Sequence, residues 1–314
     1  MERRSQSQYH LFNCQVTLSD LNMDNKFKSE IGLTLIELLI AMVISAILIA
    51  AIYRTFIGQQ KIYTVQDQVV DMQQNVRVAI NRMMREIRMA GFGNVSSVLP
   101  LMAIDGPFNN IINPKDNENN VSQNDDQITI VAAFEQVSTL ATEPARGINV
   151  IQLSDLLMNA FDLQNRKYIC IGGLETHTLT NVDVPTRIIT LSGQVIHRHA
   201  IGTPVYKVKA ITYQLRWDNQ NPNMPVLARE DHTDGGGSQV VAENIENLQF
   251  RYILKDGTET DLPAAADCPN IRMVKITVHA RTSLSDPEFK GGTGGFRRRT
   301  IASNIHVRNI GSNP

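Results

Sequence analysis

The sequence predicts an α+β fold in which one long N-terminal helix packs on an antiparallel β-sheet. From Leu33 to Ala90 the chain holds no proline and a single glycine, Gly58, while apolar residues recur at helical spacing. After Gly93, short segments rich in β-branched and aromatic residues alternate with polar, turn-prone segments, as strands and their connections do. A long helix followed by a run of strands is typical of the α+β class.

The composition is that of a foldable protein with balanced charge. The 314 residues include 30 Lys plus Arg, 31 Asp plus Glu and 42% hydrophobic residues. These values argue against an intrinsically disordered chain, and they give the whole chain no preference for polyanions.

The first part of the predicted helix is apolar enough to span a membrane. From Leu33 to Tyr53 the only polar side chains are those of Thr34, Glu37 and Ser45, and about 20 residues of helix cross the hydrocarbon core. A carboxylate in such a span costs about 2.5–3.5 kcal/mol on insertion scales. An anchor alone would be more stable without Glu37.

Charges on either side of the span predict its orientation. Lys26 and Lys28 precede it, whereas Arg54 and Lys61 follow it, which favours a cytoplasmic N-terminus and export of the remaining chain. One open alternative is a plain, uncleaved signal anchor that carries a periplasmic domain, including an enzyme whose site assembles from distant residues.

The stretch "IGLTLIE", which ends at Glu37, resembles the processing signal of the type IV pilin and pseudopilin superfamily: glycine, an apolar residue, then TLIE. This resemblance implies that residues 1–32 are a leader, with Met23 as a candidate start. It also implies that a prepilin peptidase cuts between Gly32 and Leu33 and methylates the new N-terminus. Glu37 would then be the carboxylate that meets the N-terminal amine of a neighbouring subunit in a filament, where pairing offsets the cost of burial.

The rest of the helix, residues 58–92, carries one apolar stripe. Its members follow alternating steps of three and four: Ile62, Val65, Val69, Met72, Val76, Ala79, Met83, Ile87 and Ala90. The arginines lie off this stripe: Arg77, Arg82, Arg85 and Arg88. We therefore expect one continuous helix of roughly 85 Å, with residues 33–57 in the membrane or filament core and residues 58–92 packed on the globular domain.

The segment "QDQVVDMQQNVRVAINRMMREIRMAGFG" resembles the region that follows the anchor in PilW-like minor pilins. The matching positions are Gln74, Asn75, Arg77, Arg88, Ala90 and Gly91. J-type pseudopilins of type II secretion are broadly similar here. Both resemblances imply a pilin-like fold, with residues 93–314 as a periplasmic β-rich domain.

Six segments of residues 93–314 predict strands: "DQITIVAAF", "KYICIGG", "RIITLSG", "VYKVKAITYQLRW", "NLQFRYIL" and "IRMVKITVHAR". The closing segment "RRRTIASNIHVRNI" resembles the last strand of PilW-like chains, which implies a further strand there. The polar stretches "GPFNNIINPKDNENNVSQNDD" and "WDNQNPNMP" predict insertions between strands. "SDLLMNAF" predicts a short helix with Ser154 as its N-cap.

The cysteines allow one disulfide in the mature chain. Cys14 would leave with the leader, and an oxidising compartment could join Cys170 to Cys268. The spacing contains no CxxC pair of the kind that binds zinc.

Candidate metal ligands are few, and we predict no cofactor. His197 and His199 would share one face if they lay on a strand. Asp116, Asp125 and Asp126 lie in an acidic loop that could hold calcium, although its spacing does not match an EF-hand.

Neither a GxSxG nor an HExxH motif occurs, so the sequence predicts a non-enzyme. The basic run Arg297, Arg298 and Arg299 predicts a solvated entry to the last strand. A DNA contact by this run is a weaker alternative, because aromatic stacking partners are scarce beside it.

The resemblance implies a minor pilin of a type IV pilus, incorporated in a tip or initiation complex that promotes assembly. Its partners would be prepilin peptidase, other major and minor pilins, and the inner-membrane assembly platform. The alternatives are a J-type pseudopilin and a tip adhesin that binds DNA or a surface; nucleic acid is the less favoured ligand.

Overall fold

The computed structural model describes residues 34–310 except 100–101, 103–107, 119, 123, 156–159, 162, 165–166, 234 and 236. Gly32, Leu33, Met23 and Cys14 lie outside the described residues, as does most of the short helix predicted after Ser154. The chain divides into two compact units, with the division between Gln60 and Lys61.

Helix α1 spans Leu35–Met89 as one uninterrupted helix of 55 residues. Gly58 does not break it, as expected for a single glycine in a long run of good helix formers. In the first unit every side chain from Thr34 to Gln60 is exposed. By length and composition this part of α1 could cross a membrane.

In the second unit, α1 buries one stripe against the sheets. The buried side chains of the helix are Met72, Val76, Ala79, Ile80, Met83 and Ile87. The prediction of the stripe is confirmed from Val69 onward, and it is wrong for Ile62, which is 55% exposed. The reason is that the core residues of the sheets meet the helix only from Val69.

Thirteen antiparallel strands form within the described residues. The first seven are β1 (Ile112–Lys115), β2 (Gln127–Thr139), β3 (Val150–Gln152), β4 (Tyr168–Ile171), β5 (Glu175–Asp183), β6 (Ile188–Leu191) and β7 (Pro204–Trp217). The other six are β8 (Pro225–Asp231), β9 (Ser238–Glu243), β10 (Ile245–Leu254), β11 (Glu259–Thr260), β12 (Ile271–Arg281) and β13 (Arg298–His306).

These strands pair to form two sheets. The nine-stranded sheet runs β1-β2-β7-β4-β5-β6-β3, with β8 paired to β7 and β9 paired to β8. The four-stranded sheet runs β11-β10-β12-β13. The predicted α+β class, with a long helix on antiparallel sheets, is therefore confirmed.

Three buried clusters stabilise the second unit. The largest joins the stripe of α1 to apolar residues of β1, β2, β7, β8, β10, β12 and β13. A second lies among β3, β4, β5 and β6. A third packs the segment around Val95 and Val98 on β2, β4 and β7.

Two sequence predictions need correction. The polar stretch before Asp126 is not only an insertion, because β1 forms within it and pairs with β2. The possible disulfide between Cys170 and Cys268 is absent: both thiols are free and buried. They lie in different clusters, Cys170 beside the Val95 segment and Cys268 in the core under α1.

Candidate functional site

Reciprocal hydrogen bonds between Thr34 and Glu37 cap the N-terminus of α1. The backbone N–H and the hydroxyl of Thr34 each donate to Oε2 of Glu37, both at 2.9 Å. The backbone N–H of Glu37 donates back to Oγ1 of Thr34 at 3.3 Å. This is a capping box, in which Thr34 is the N-cap and Glu37 the third helical residue.

The capping box gives Glu37 a structural role that the sequence analysis missed. The spacing Thr-x-x-Glu before an apolar run is itself the signal for such a cap, and it lies inside the TLIE of the processing motif. The position also suits the charge, because the N-terminus of a helix dipole stabilises a carboxylate.

Around Glu37 the helix surface is apolar and exposed. Leu35 is 83% exposed and Ile36 is 68% exposed. A carboxylate in such a surface remains costly whenever that surface is buried in lipid or against other helices, unless a cation meets it. The arrangement therefore suits a site where a partner brings a positive charge.

In the second unit, α1 is tied to the nine-stranded sheet through Glu86. Its two carboxylate oxygens accept the Nε–H of Arg229, each at 3.1 Å, and Oε2 also accepts the hydroxyl of Tyr213 at 2.7 Å. Arg82 lies 3.8 Å from the same carboxylate. Burial, together with the negative charge of Glu86, raises the pKa of Tyr213 above its ordinary value.

The two histidines that the sequence offered as candidate metal ligands do not lie together on a strand. His197 and His199 lie in the connection between β6 and β7, not on a strand. Nε2 of buried His199 lies 2.6 Å from Oε1 of Glu175, and Nε2 of His177 lies 3.2 Å from Oε2. His197 is exposed, and only its backbone N–H bonds to Glu175.

Glu175 is thus a buried acceptor that holds the connection between β6 and β7. Burial opposes its ionisation, but the N–H groups of Ile196 and His197 and the two imidazoles outweigh burial and lower the pKa of Glu175. Across the residues that the structure describes, no three His, Cys, Asp or Glu side chains are arranged to hold a metal ion.

The acidic loop before β2 uses its carboxylates as acceptors for backbone groups. Asp125 accepts the N–H of Asn120 at 2.8 Å and that of Val121 at 3.2 Å. Asp126 accepts the N–H of Phe250 at 2.7 Å. Burial is the largest cause that raises the pKa of Asp126, to about 6, and neighbouring Asp116 adds to the effect.

The basic run enters β13 as predicted, but two of its members are paired. Arg297 contacts Asp286 at 3.4 Å and stacks 4.4 Å above the ring of Phe289. Arg298 forms a bidentate pair with Glu246, with distances of 2.6 and 3.1 Å. These pairs leave little free positive charge for a nucleic-acid backbone.

A family model, the prokaryotic N-terminal methylation motif, matches residues 28–53. Together with the exposed apolar half of α1, this match indicates a protein with a prepilin-type anchor. More particularly, the motif with the long helix and the sheet-rich unit fits the type IV pilin superfamily, as a pilin-like or pseudopilin protein. The motif implies processing by prepilin peptidase and assembly with other pilins. A search of the curated proteins finds no significant match.

Proposed function

We propose that this protein is a minor pilin subunit of a type IV pilus, incorporated in the tip or initiation complex and promoting pilus assembly. The observation that carries the proposal is that the methylation motif at residues 28–53 overlaps the first part of one uninterrupted helix, Leu35–Met89. The first half of this helix has an exposed apolar surface, and the second half buries one apolar stripe in the core of the globular unit.

The size of the globular unit favours a minor subunit over the repeating one. It contains a nine-stranded and a four-stranded sheet within the described residues, with polar connections such as residues 218–224 between strands. Bulky connections are difficult to accommodate in every subunit of a tight helical array, but they suit a position used once per filament.

Glu37 would dock the subunit in this scheme. In the free chain its carboxylate accepts hydrogen bonds from Thr34, so the helix can enter the membrane with that oxygen partly satisfied. In the filament, the methylated amine of a neighbouring subunit would supply the opposite charge and offset the cost of burial.

The topology proposed for this role places the N-terminus in the cytoplasm and the second unit in the periplasm. Prepilin peptidase would remove residues 1–32, and the mature chain would leave the inner membrane through the assembly platform. Nothing in this role requires an enzyme, a cofactor or a metal ion.

N-terminal mass spectrometry of the chain, expressed with and without prepilin peptidase, tests the proposal. We expect a mature chain that begins at methylated Leu33 only when the peptidase is present, and Gly32→Ala should block its formation. An unprocessed chain under both conditions would contradict the proposal and favour a plain membrane-anchored domain.

A J-type pseudopilin shares the same motif and helix, so processing alone does not separate the two functions. The discriminating experiment deletes the gene and scores both surface pili and secreted exoproteins. Loss of pili with normal secretion supports the minor pilin, whereas loss of secretion with normal pili supports the pseudopilin.

A further inference from the structure

A cleft opens in the globular unit where β7 and β8 meet side chains of β10 and β12. Its volume is about 490 Å³, and its lining includes Trp217, Pro225, Glu246, Asn247, His279 and Arg281. This volume lies within the range of about 300–1,000 Å³ found for small-ligand sites.

The apolar wall of the cleft is formed by Trp217, the only tryptophan of the chain. It ends β7, pairs with Pro225 of β8, and remains 43% exposed. Exposed aromatic surface of this size is unfavourable in water, and a flat indole face is well suited to stack against a ligand ring.

The polar side of the cleft is held in place by contacts within the protein. Arg281 donates to the backbone oxygen of Asn223 at 2.8 Å and stacks 4.2 Å above the ring of Phe296. The side-chain amide of Asn247 donates to the hydroxyl of Ser122 at 2.8 Å. Polar groups fixed in this way lose little conformational freedom when a ligand binds.

The two arginines of the cleft, Arg281 and Arg298, already pair with its one carboxylate, Glu246. Glu246 pairs with Arg298 at 2.6 Å and with Arg281 at 3.5 Å. A neutral hydrogen-bonding ligand therefore suits this site better than a phosphate, which binds to unpaired cations.

The turn beside Trp217 carries uncharged polar groups next to the cleft in sequence, although its residues do not line the cleft. Residues 218–224 include Asn219, Gln220, Asn221 and Asn223, and the turn is fixed because Asp218 accepts the N–H groups of Gln220 and Asn221, both at 3.0 Å. Side-chain amides both donate and accept hydrogen bonds, as hydroxyl groups do.

We propose that this cleft binds a ring of a neutral oligosaccharide. A pyranose has C–H groups on its faces and hydroxyls around its edge, so one face stacks on Trp217 while the hydroxyls bond to Asn247, His279 and Arg281. This inference goes beyond the proposed pilin function and does not depend on it, because the isolated chain can show binding whether or not it enters a filament.

The test uses the full chain in a zwitterionic detergent that has no sugar headgroup. Trp217 is the only indole, so its fluorescence reports this cleft alone. We expect a saturable change during titration with at least one of maltotriose, cellotriose and the trimer of N-acetylglucosamine, with a Kd on the order of 1 mM for a single stacked ring.

Variants are compared by isothermal titration calorimetry, which needs no tryptophan. Trp217→Ala should weaken binding at least roughly ten-fold, and Trp217→Phe, which keeps a flat ring, should weaken it less. Leu262→Ala is the matched control, because Leu262 is 53% exposed and is not among the residues that line the cleft. Circular dichroism confirms that each variant folds.

The inference is overturned if none of the three trisaccharides gives a saturable change up to about 20 mM. It is also overturned if Trp217→Ala binds as tightly as the unaltered chain. Binding of trigalacturonate or of a single-stranded oligonucleotide, with no binding of the neutral sugars, would likewise overturn it, since an anionic ligand would then occupy the cleft.

Discussion

Glu37 caps its own helix in the free chain and would face an amine in the proposed filament, and three substitutions separate these roles. Glu37→Gln keeps a side chain that a capping box accepts but removes the charge. Thr34→Ala keeps the charge and weakens the cap by about 1 kcal/mol. Glu37→Ala removes both.

If docking depends on charge, Glu37→Gln and Glu37→Ala should both insert in the membrane normally and fail to assemble, whereas Thr34→Ala should still assemble. Membrane fractionation and counting of surface pili measure the two steps. Normal piliation of Glu37→Gln would show that the charge is not needed and would leave the cap as the only role of Glu37.

Gly93, just after α1, has a backbone conformation and surroundings that only glycine fits. Its φ is +97°, and an added Cβ would lie 2.8 Å from Cβ of Ala133 and 2.9 Å from Sγ of Cys170. Gly93→Ala should therefore lower the free energy of unfolding by at least about 1–3 kcal/mol, because steric overlap adds to backbone strain.

Gly147→Ala is the control for this substitution, since Gly147 also has a positive φ, +84°, but no atom within 4 Å of the added Cβ. Gly147→Ala should lower the free energy of unfolding only by the backbone strain, about 1 kcal/mol. Urea unfolding followed by circular dichroism compares the two variants, and equal losses would refute the proposed overlap at Gly93.

The contact of α1 with β7 and β8 depends on a buried ion pair. Arg229→Ala would leave the largely buried Glu86 carboxylate with only Arg82, 3.8 Å away, as a nearby cation, and should lower the free energy of unfolding by about 3 kcal/mol. Lys275→Ala is the control, because its pair with Glu259 is about one-third exposed on both sides and should contribute less than about 1 kcal/mol.

Replacing both Glu86 and Arg229, by Leu and Met respectively, should recover much of the stability lost in Arg229→Ala. Similar losses in the two single variants would contradict this account.

The turn between β1 and β2 should make stability depend on pH through Asp126. Its pKa is about 6 in the folded chain against an ordinary 3.8, so between these values the folded state holds a proton that the unfolded state has released. Asp126 therefore makes its full stabilising contribution to the free energy of unfolding below about pH 4, and this contribution is lost as the pH rises through about 6.

Asp126→Asn should remove this dependence, so its stability relative to the unaltered chain should increase from pH 4 to pH 7. Urea unfolding at each pH unit measures the trend. Asp256→Asn is the control: the pKa of exposed Asp256 is lowered by the N–H of Thr258, so this variant should show no such increase. A constant difference for Asp126→Asn across the range would contradict the prediction.

The elements that the sequence predicted correctly are those with a strong local period. The stripe of α1 follows a helical repeat, and β7 and β12 are rich in β-branched and aromatic residues. β5 was missed because "ETHTLTNVD" is mainly polar, and β8 because "PVLARED" begins with proline and ends in charged residues. Those polar and charged side chains are buried through distant partners, such as Glu86 for Arg229, 143 residues away.

The functional sites also differ in how far the sequence predicts them. The processing motif is contiguous in sequence, so residues 28–53 could be identified directly. The cleft at Trp217 brings together residues between Val121 and Arg298, and no local pattern predicts that they meet. The placement of His197 and His199 on a strand was wrong, because the sequence shows neither that Glu175 lies beside His199 nor that their segment is a connection.

The orientation proposed for the chain places its second unit, with two buried thiols, in an oxidising compartment. Burial is the main cause that raises the pKa of Cys170, to about 12, so little thiolate forms at neutral pH and oxidation should be slow. In the described part of the chain, packing in separate clusters keeps Cys170 and Cys268 unpaired. The fold is therefore compatible with export without requiring a disulfide.

Alkaline phosphatase fused after residue 310, which is active only in the periplasm, tests this orientation. We expect activity from the fusion, because Lys26 and Lys28 favour a cytoplasmic N-terminus. Replacing both lysines by glutamine should lower the activity, since Arg54 and Lys61 would then hold the remaining positive charge near the span. The same change at Lys255 and Lys275, which do not flank the span in the sequence, is the control. An inactive fusion, with normal amounts of protein in the membrane, would place the second unit in the cytoplasm and contradict the proposed topology.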